Sequence, residues 1–175
     1  MFAHRRNMEF SEAKQHFIST WGELGMNWGI NRTMGHIHAL LLISPEPLSA
    51  EDIIHSLQIS KGNANMNLRG LLDWGLVYRQ SKVGDRKDYF VAEKELWDVF
   101  RKTLAKRKQK ELNPMLAMIK KISKTDNNQD TEDSKEFDKF IKDLDAISSA
   151  ADNALDRLIN SESNIFLNTL VKIMR

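Results

Sequence analysis

Between residues 48 and 93, two short helix signals joined by a tight turn run without interruption into a charged hairpin signal, and few folds accommodate that order. Ser49 stands where an N-cap belongs, and Asp52 follows at capping-box spacing ahead of an apolar stripe of Ile53, Ile54 and Leu57. Ser60 opens a second helix that runs through Trp74 and closes at Gly75. Within it, Ala64, Leu68, Leu71 and Leu72 fall at offsets that place them on one buried face. Two strands follow, roughly 77–82 and 87–92, around Val83-Gly84-Asp85-Arg86. Helix, turn, helix and hairpin together read as a winged helix-turn-helix. In that arrangement the second helix enters the DNA major groove and the hairpin is placed to touch phosphate or the minor groove.

The flanks read as helices. Residues 10–24 carry Phe10, Ala13, Phe17, Ile18, Trp21 and Leu24 three or four apart, with Gly25 as the expected stop and 26–29 as a turn. Asn31 or Thr33 caps a mostly apolar helix through Ile43, which Pro45 and Pro47 terminate. After the hairpin a helix is expected over 95–110, with Pro114 breaking, kinking or restarting it before it continues to Ile122. Residues 123–134 contain no large apolar side chain and read as a flexible segment. From Lys135 to Met174 apolar residues recur at helical spacing, as two helices or one long broken one. Such a stripe must be buried against the first helix or a second copy of the chain, with an internal helical hairpin as the plain alternative. A homodimer is the expectation, because helix-turn-helix proteins bind paired half-sites. The fold class is therefore mainly α with a small β-hairpin. Its parts are an N-terminal dimerisation helix over 1–30, the winged helix-turn-helix over 31–93, and a C-terminal helical dimerisation region over 94–175 with its flexible segment at 123–134.

Composition narrows the function. With 175 residues and 41% hydrophobic content the chain can build a core, yet it holds no apolar run of membrane-spanning length and its first ten residues are too polar for a secretory signal. A cytoplasmic protein without a membrane partner is expected. Zero cysteines exclude disulfides, thiolate zinc sites and thiol nucleophiles. His36 and His38 diverge by about 200° on a helix, so they cannot share a metal. Gly-rich phosphate loops, nucleophile elbows and apolar carboxylate pairs are missing from the sequence, which argues against an enzyme or a cofactor. The formal net charge of +2 hides an asymmetry: 94–110 is rich in Lys and Arg, whereas the region beyond Asp126 is acidic. That distribution directs polyanions to the middle of the chain, unless the basic run is merely a solvated helix face.

In the second helix of the motif, subtracting the buried Ala64 and Leu68 leaves Lys61, Gly62, Asn63, Asn65, Met66 and Arg69 facing outward. Asn is a weak helix former, so its repetition here suggests recognition, and its amide can pair with the N6 and N7 edge of adenine. Asn63, Asn65 and Met66 are the base-edge candidates. Lys61 and Arg69 suit phosphate, and Ser60 with Gly62 would let the helix N-terminus approach the backbone of double-stranded DNA. At the hairpin tip Lys82, Arg86 and Lys87 bracket Gly84; Arg86 suits a narrow minor groove, and Asp85 would hold Arg86 or cap the turn. Phe17, Trp21 and Trp28 form a candidate effector-binding cage, with ordinary core packing as the alternative.

The run Gly84-Asp85-Arg86-Lys87-Asp88-Tyr89-Phe90 resembles the GbsR-type branch of the MarR superfamily of bacterial regulators. So do Arg107-Lys108-Gln109-Lys110-Glu111-Leu112-Asn113-Pro114, Ser60-Lys61-Gly62-Asn63 and Trp74-Gly75-Leu76-Val77. The resemblance covers roughly residues 21–118. It implies a dimeric winged-helix repressor of pseudopalindromic DNA, with 60–69 as recognition helix and 84–87 as wing tip. Some members of that branch respond to choline, which makes a quaternary ammonium osmolyte the candidate effector. Two other classes compete with this reading: a winged helix used for protein–protein contact, and a small-molecule-binding dimer without operator recognition.

Overall fold

The computed structural model describes residues 8–123 and 131–162, and the chain divides into two compact units, residues 1–99 and 100–175.

The first unit is built around a buried central helix. Helix α1 (Phe10–Asn27) packs on α2 (Arg32–Ile43), and α2 lies against α4 (Lys61–Asp73) and, less extensively, α3 (Ala50–Leu57). Met34, Ile37, His38, Ala39 and Leu41 of α2 are all buried. Met34, Ile37 and Leu41 meet Ile53, Leu68, Leu71, Leu76, Val77 and Phe90 in one continuous core. A three-stranded antiparallel sheet in the order β1-β3-β2 closes the unit, from β1 (Leu48–Ser49), β2 (Val77–Ser81) and β3 (Asp88–Ala92). The hairpin pairs Val77 with Ala92 and Ser81 with Asp88, and Gly84 turns it at φ +84°. The two-residue β1, pairing Leu48 with Phe90, carries too short a pattern to announce itself in sequence.

Caps explain most boundaries. Ser49 accepts from the Asp52 amide at 3.2 Å while the Asp52 carboxylate accepts from the Ser49 amide at 2.8 Å, the reciprocal pair expected from the spacing. Ser60 and Asn31 cap α4 and α2 by accepting from the Asn63 and Met34 amides. At the other end of α2, the Lys94 ammonium donates to the carbonyls of Leu41, Leu42 and Ser44 at 2.7, 2.7 and 2.9 Å, satisfying the orphan acceptors of a helix end.

One boundary differs from expectation. Gly25 does not end α1, which continues to Asn27; Gly25 is buried inside the helix, where a Cβ would lie 2.9 Å from the Ile30 side chain. The break comes at Trp28 and Gly29, the latter at φ +83°. Gly25, like Gly22, is a contact glycine and not a stop signal.

The second unit holds the rest of α5 (Leu96–Arg107), a π-helical turn over Lys108–Leu112, α6 (Asn113–Ile122) and α7 (Glu132–Ile159). Pro114 neither breaks nor sharply ends the helical path, because it sits in the first turn of α6, where its missing N–H is harmless. The extra residue of the π turn comes immediately before it. Helix α7 is a single helix packed on α6 and the π turn, so the internal hairpin is realised. Buried Ser134, Ile141 and Ser148 recur every seven residues along that seam. Glu132, Asp133 and Ser134, read from sequence as loop, form the first turn of α7 behind the Thr131 cap. The rest of that polar segment, 124–130, and the apolar repeats of 163–175 lie outside the described residues.

Candidate nucleic-acid interface

Helix α4 is held by its inner face, where Ala64, Leu68 and Leu71 are buried. Its outer face carries Lys61, Gly62, Met66 and Arg69, all exposed, with Asn63 and Asn65 half-buried. Met66 is 62% exposed, a poor place for a large apolar side chain unless something covers it. A Cβ at Gly62 would meet nothing within 4 Å, so no internal packing demands glycine there.

A third Asn of this helix, Asn67, faces inward. Asn67 is 2% exposed, and its Oδ1 accepts from Asn31 Nδ2 at 2.7 Å. Its Nδ2 donates to the Asn63 carbonyl at 2.8 Å and to Asn63 Oδ1 at 2.7 Å. Asn67 is therefore a structural amide that ties the start of α2 to the first turns of α4. The signal was present in its spacing, since position 67 lies between the buried positions 64, 68 and 71.

The wing carries more carboxylate than its basic composition suggests. Lys87 Nζ stands 2.5 Å from Glu51 Oε2 of α3, and Arg79 pairs with Asp88 at 3.4 Å. Asp85 does cap the turn: it accepts from the Lys87 amide at 2.9 Å and from the Tyr89 hydroxyl at 2.7 Å, and those bonds hold its carboxyl below the usual range. Lys82 lies over the Tyr89 ring at 4.1 Å. Glu51 raises the Lys87 ammonium pKa, first by hydrogen bond and then by charge. Arg86 stands exposed at the tip. Between the α3 N-terminus, α4 and the wing runs a groove of about 310 Å³, lined among others by Glu51, Asn65, Arg69, Arg79 and Lys87. Sequence reasoning passed over Arg79 and Glu51, because neither belongs to the hairpin tip or the second helix.

The basic run over 94–110 is not an open polycation. Besides Lys94 at the end of α2, Arg107 pairs with Glu111, Arg101 donates to the Ile159 carbonyl, and Lys108 contacts Asp152 and Asp156 of α7 at 3.0 and 2.5 Å. Arg107 and Lys108 are thus matched by carboxylates inside the second unit, which lowers the positive charge that this run offers to a polyanion.

Phe17, Trp21 and Trp28 are brought together at the α1–α2 junction. Trp21 lies 5.4 Å from Phe17 and 5.7 Å, edge-on, from Trp28 between centroids, and its indole donates to His38 Nδ1 at 3.2 Å. The rings touch one another instead of standing apart around a space, a packing arrangement more than an open cage. His38 is almost fully buried; that burial, followed by the nearby Lys94 charge, lowers its pKa to about 4.

This geometry has counterparts among known proteins. Residues 28–88 are matched by the family model of the MarR family. Over 75 residues the chain is 31% identical to the HTH-type transcriptional regulator MmpR5 of Mycobacterium tuberculosis (strain ATCC 25618 / H37Rv), a match covering 42% of this chain and 46% of that protein. The chain thus spans about half the length of the curated relative it matches. The crystal structure of a transcriptional regulator superposes with a TM-score of 0.62 at 17% identity, covering 84% of this chain and 95% of the other, which establishes a shared fold. The capped helices, tight turn and paired hairpin over residues 48–92 form a winged helix-turn-helix, and the part of the chain from 28 to 88 is similar to the MarR family.

Proposed function

We propose that the protein is a dimeric, sequence-specific DNA-binding transcriptional regulator of the MarR type, acting as a repressor. The observation that carries this reading is the outer face of α4, where Lys61, Met66 and Arg69 stand exposed beside a wing tip bearing Arg86. In this reading α4 lies in the major groove, with Asn63, Asn65 and Met66 against base edges and Lys61 and Arg69 on phosphate. Ser60 and Gly62 bring the helix N-terminus to the backbone, and Lys82, Arg86 and Lys87 supply the wing contacts. Lys87 reaches phosphate by exchanging Glu51 for it.

Dimerisation places two such helices one DNA turn apart, about 34 Å. Its support is a second stripe on α7: Phe137, Phe140 and Ile147 are exposed although α7 already buries its seam against α6. The GbsR-type affiliation and a quaternary ammonium effector extend the proposal. Such a ligand would have to part Trp21 from Trp28, and its binding would change the angle between the two winged domains and release DNA.

Fluorescence anisotropy on a duplex from the upstream region of the protein's own gene and on a scrambled duplex, across a salt series, tests the central claim. The expected outcome is preference for the native duplex, with a log–log salt slope of about −0.9 per phosphate neutralised. Equal weak binding to both would defeat it.

A further inference from the structure

The amide chain from Asn31 through Asn67 to Asn63 has a direction, and an obligate donor at its far end sets it. Met34 N–H can only donate, so Asn31 must turn Oδ1 toward it, at 2.9 Å. Asn31 then has only its NH2 to offer Asn67, which must answer with Oδ1. The Asn67 NH2 is thereby turned to Asn63, where it meets two acceptors, the backbone carbonyl and Oδ1. Oxygen and nitrogen of an amide are ordinarily hard to tell apart, but here each orientation follows from the one before it. The chain ends at the NH2 of Asn63, which has no partner among the described residues.

We infer that this relay fixes the polarity of the DNA-facing amide, so that Asn63 offers hydrogen-bond donors and reads an acceptor edge, guanine O6 and N7 above all. The bidentate Asn–adenine pair needs Oδ1 and NH2 to face the base together, Oδ1 accepting from N6 while NH2 donates to N7. In this protein Oδ1 is turned to a buried Asn67 that, while Asn31 donates to it, cannot rotate without losing that bond and placing its own oxygen against the Asn63 carbonyl. Asn31 and Asn67 are accordingly positioning residues for specificity although they are not among the outward-facing side chains of α4. The inference rests on the DNA-reading role proposed for α4.

The test is selection of bound duplexes from a randomised pool by the full chain and three variants, with thermal melting to confirm folding. The wild type is expected to select guanine at the base pair that Asn63→Ala relaxes, and replacing that base by 7-deazaguanine should cost about tenfold in affinity. Asn31→Asp keeps the N-cap but presents only acceptors to Asn67. The relay then reverses, Asn63 turns its oxygen outward, and the preference at that position moves to a base with an amino group, adenine or cytosine. Asn31→Ser keeps the cap and cuts the relay, and should broaden the preference there. A wild type that requires the adenine N6 amino group at this position, or an Asn31→Asp protein with unaltered preference, overturns the inference while leaving a sequence-specific regulator intact. A folded wild type that selects no sequence at all overturns both.

Discussion

His38 shows how one buried side chain can set a property of the whole protein. Its folded-state pKa of about 4 lies below the ordinary 6.5 because burial disfavours the imidazolium. As pH falls below 6.5 the unfolded chain gains a proton that the folded chain refuses, so stability declines until about pH 4, where both forms are charged. Between about pH 7 and pH 5 the loss should reach about 2 kcal/mol, read as a fall in the urea midpoint, and His38→Gln should flatten that dependence. An equally steep decline in the variant would mean that His38 is not the group responsible. On the proposed recognition face, Asn63→Ala should cost about 1 to 3 kcal/mol on specific DNA and relax one base position. Arg86→Ala should instead weaken specific and nonspecific duplexes alike and lower the salt slope by about one. Identical effects of the two substitutions would contradict the division between base reading and phosphate contact.

At the scale of elements, caps and close contacts decide the outcome. The Ser49–Asp52 box opens α3, and Ser49 is 5% exposed, so Ser49→Ala removes a cap and strands the Asp52 amide. A loss of about 1 kcal/mol is expected from chemical denaturation. Asp52 is held below the ordinary carboxylate range first by its hydrogen bonds to Ser49, so its contribution is complete above about pH 4 and fades as pH falls toward the lowered value. The α1–α2 crossing is set by glycine: a Cβ on Gly35 would stand 2.7 Å from the Gly22 Cα and 3.3 Å from its carbonyl oxygen. Gly35→Ala should therefore push α1 off α2 and cost about 1 to 3 kcal/mol, with a changed Trp21 emission, since Trp21 contacts His38 of α2. A fully stable Gly35→Ala with unchanged fluorescence would show that the two backbones have room to separate.

For the whole molecule, the proposed dimer makes the strongest claim. A chain of 20.2 kDa should sediment as twice that mass, and Ile147→Asp, which places a charge on a residue 70% exposed, should shift it toward monomer without unfolding α7. Loss of the dimer should also abolish the operator preference while leaving weak salt-sensitive binding, because one recognition helix alone still carries Lys61 and Arg69. A wild type that sediments as a monomer at micromolar concentration would end this part of the reading. No helix among the described residues is long and apolar enough to cross a membrane.

Local chemistry was legible from the residues. Ser49, Asp52 and Ser60 announced two helix starts and narrowed a third to Asn31 or Thr33, the two strand signals around Gly84 announced the wing, and the offsets of Ala64, Leu68 and Leu71 announced which face of α4 is buried, because caps and periodicity act over a few residues. What depended on distant neighbours was not. Gly25 reads as a stop until Ile30 is seen against it; Gln58, left-handed at φ 51° in the turn before α4, carries no glycine to flag it. Lys94 and Lys108 read as free charge until the end of α2 and the carboxylates of α7 are placed beside them. Asn67 falls on the buried side of its helix by spacing, but its partner Asn31, thirty-six positions away, is visible only in the fold. Hydrogen-bond partners of a side chain are set by packing between elements, and a linear pattern encodes which face a residue occupies but not what waits for it there.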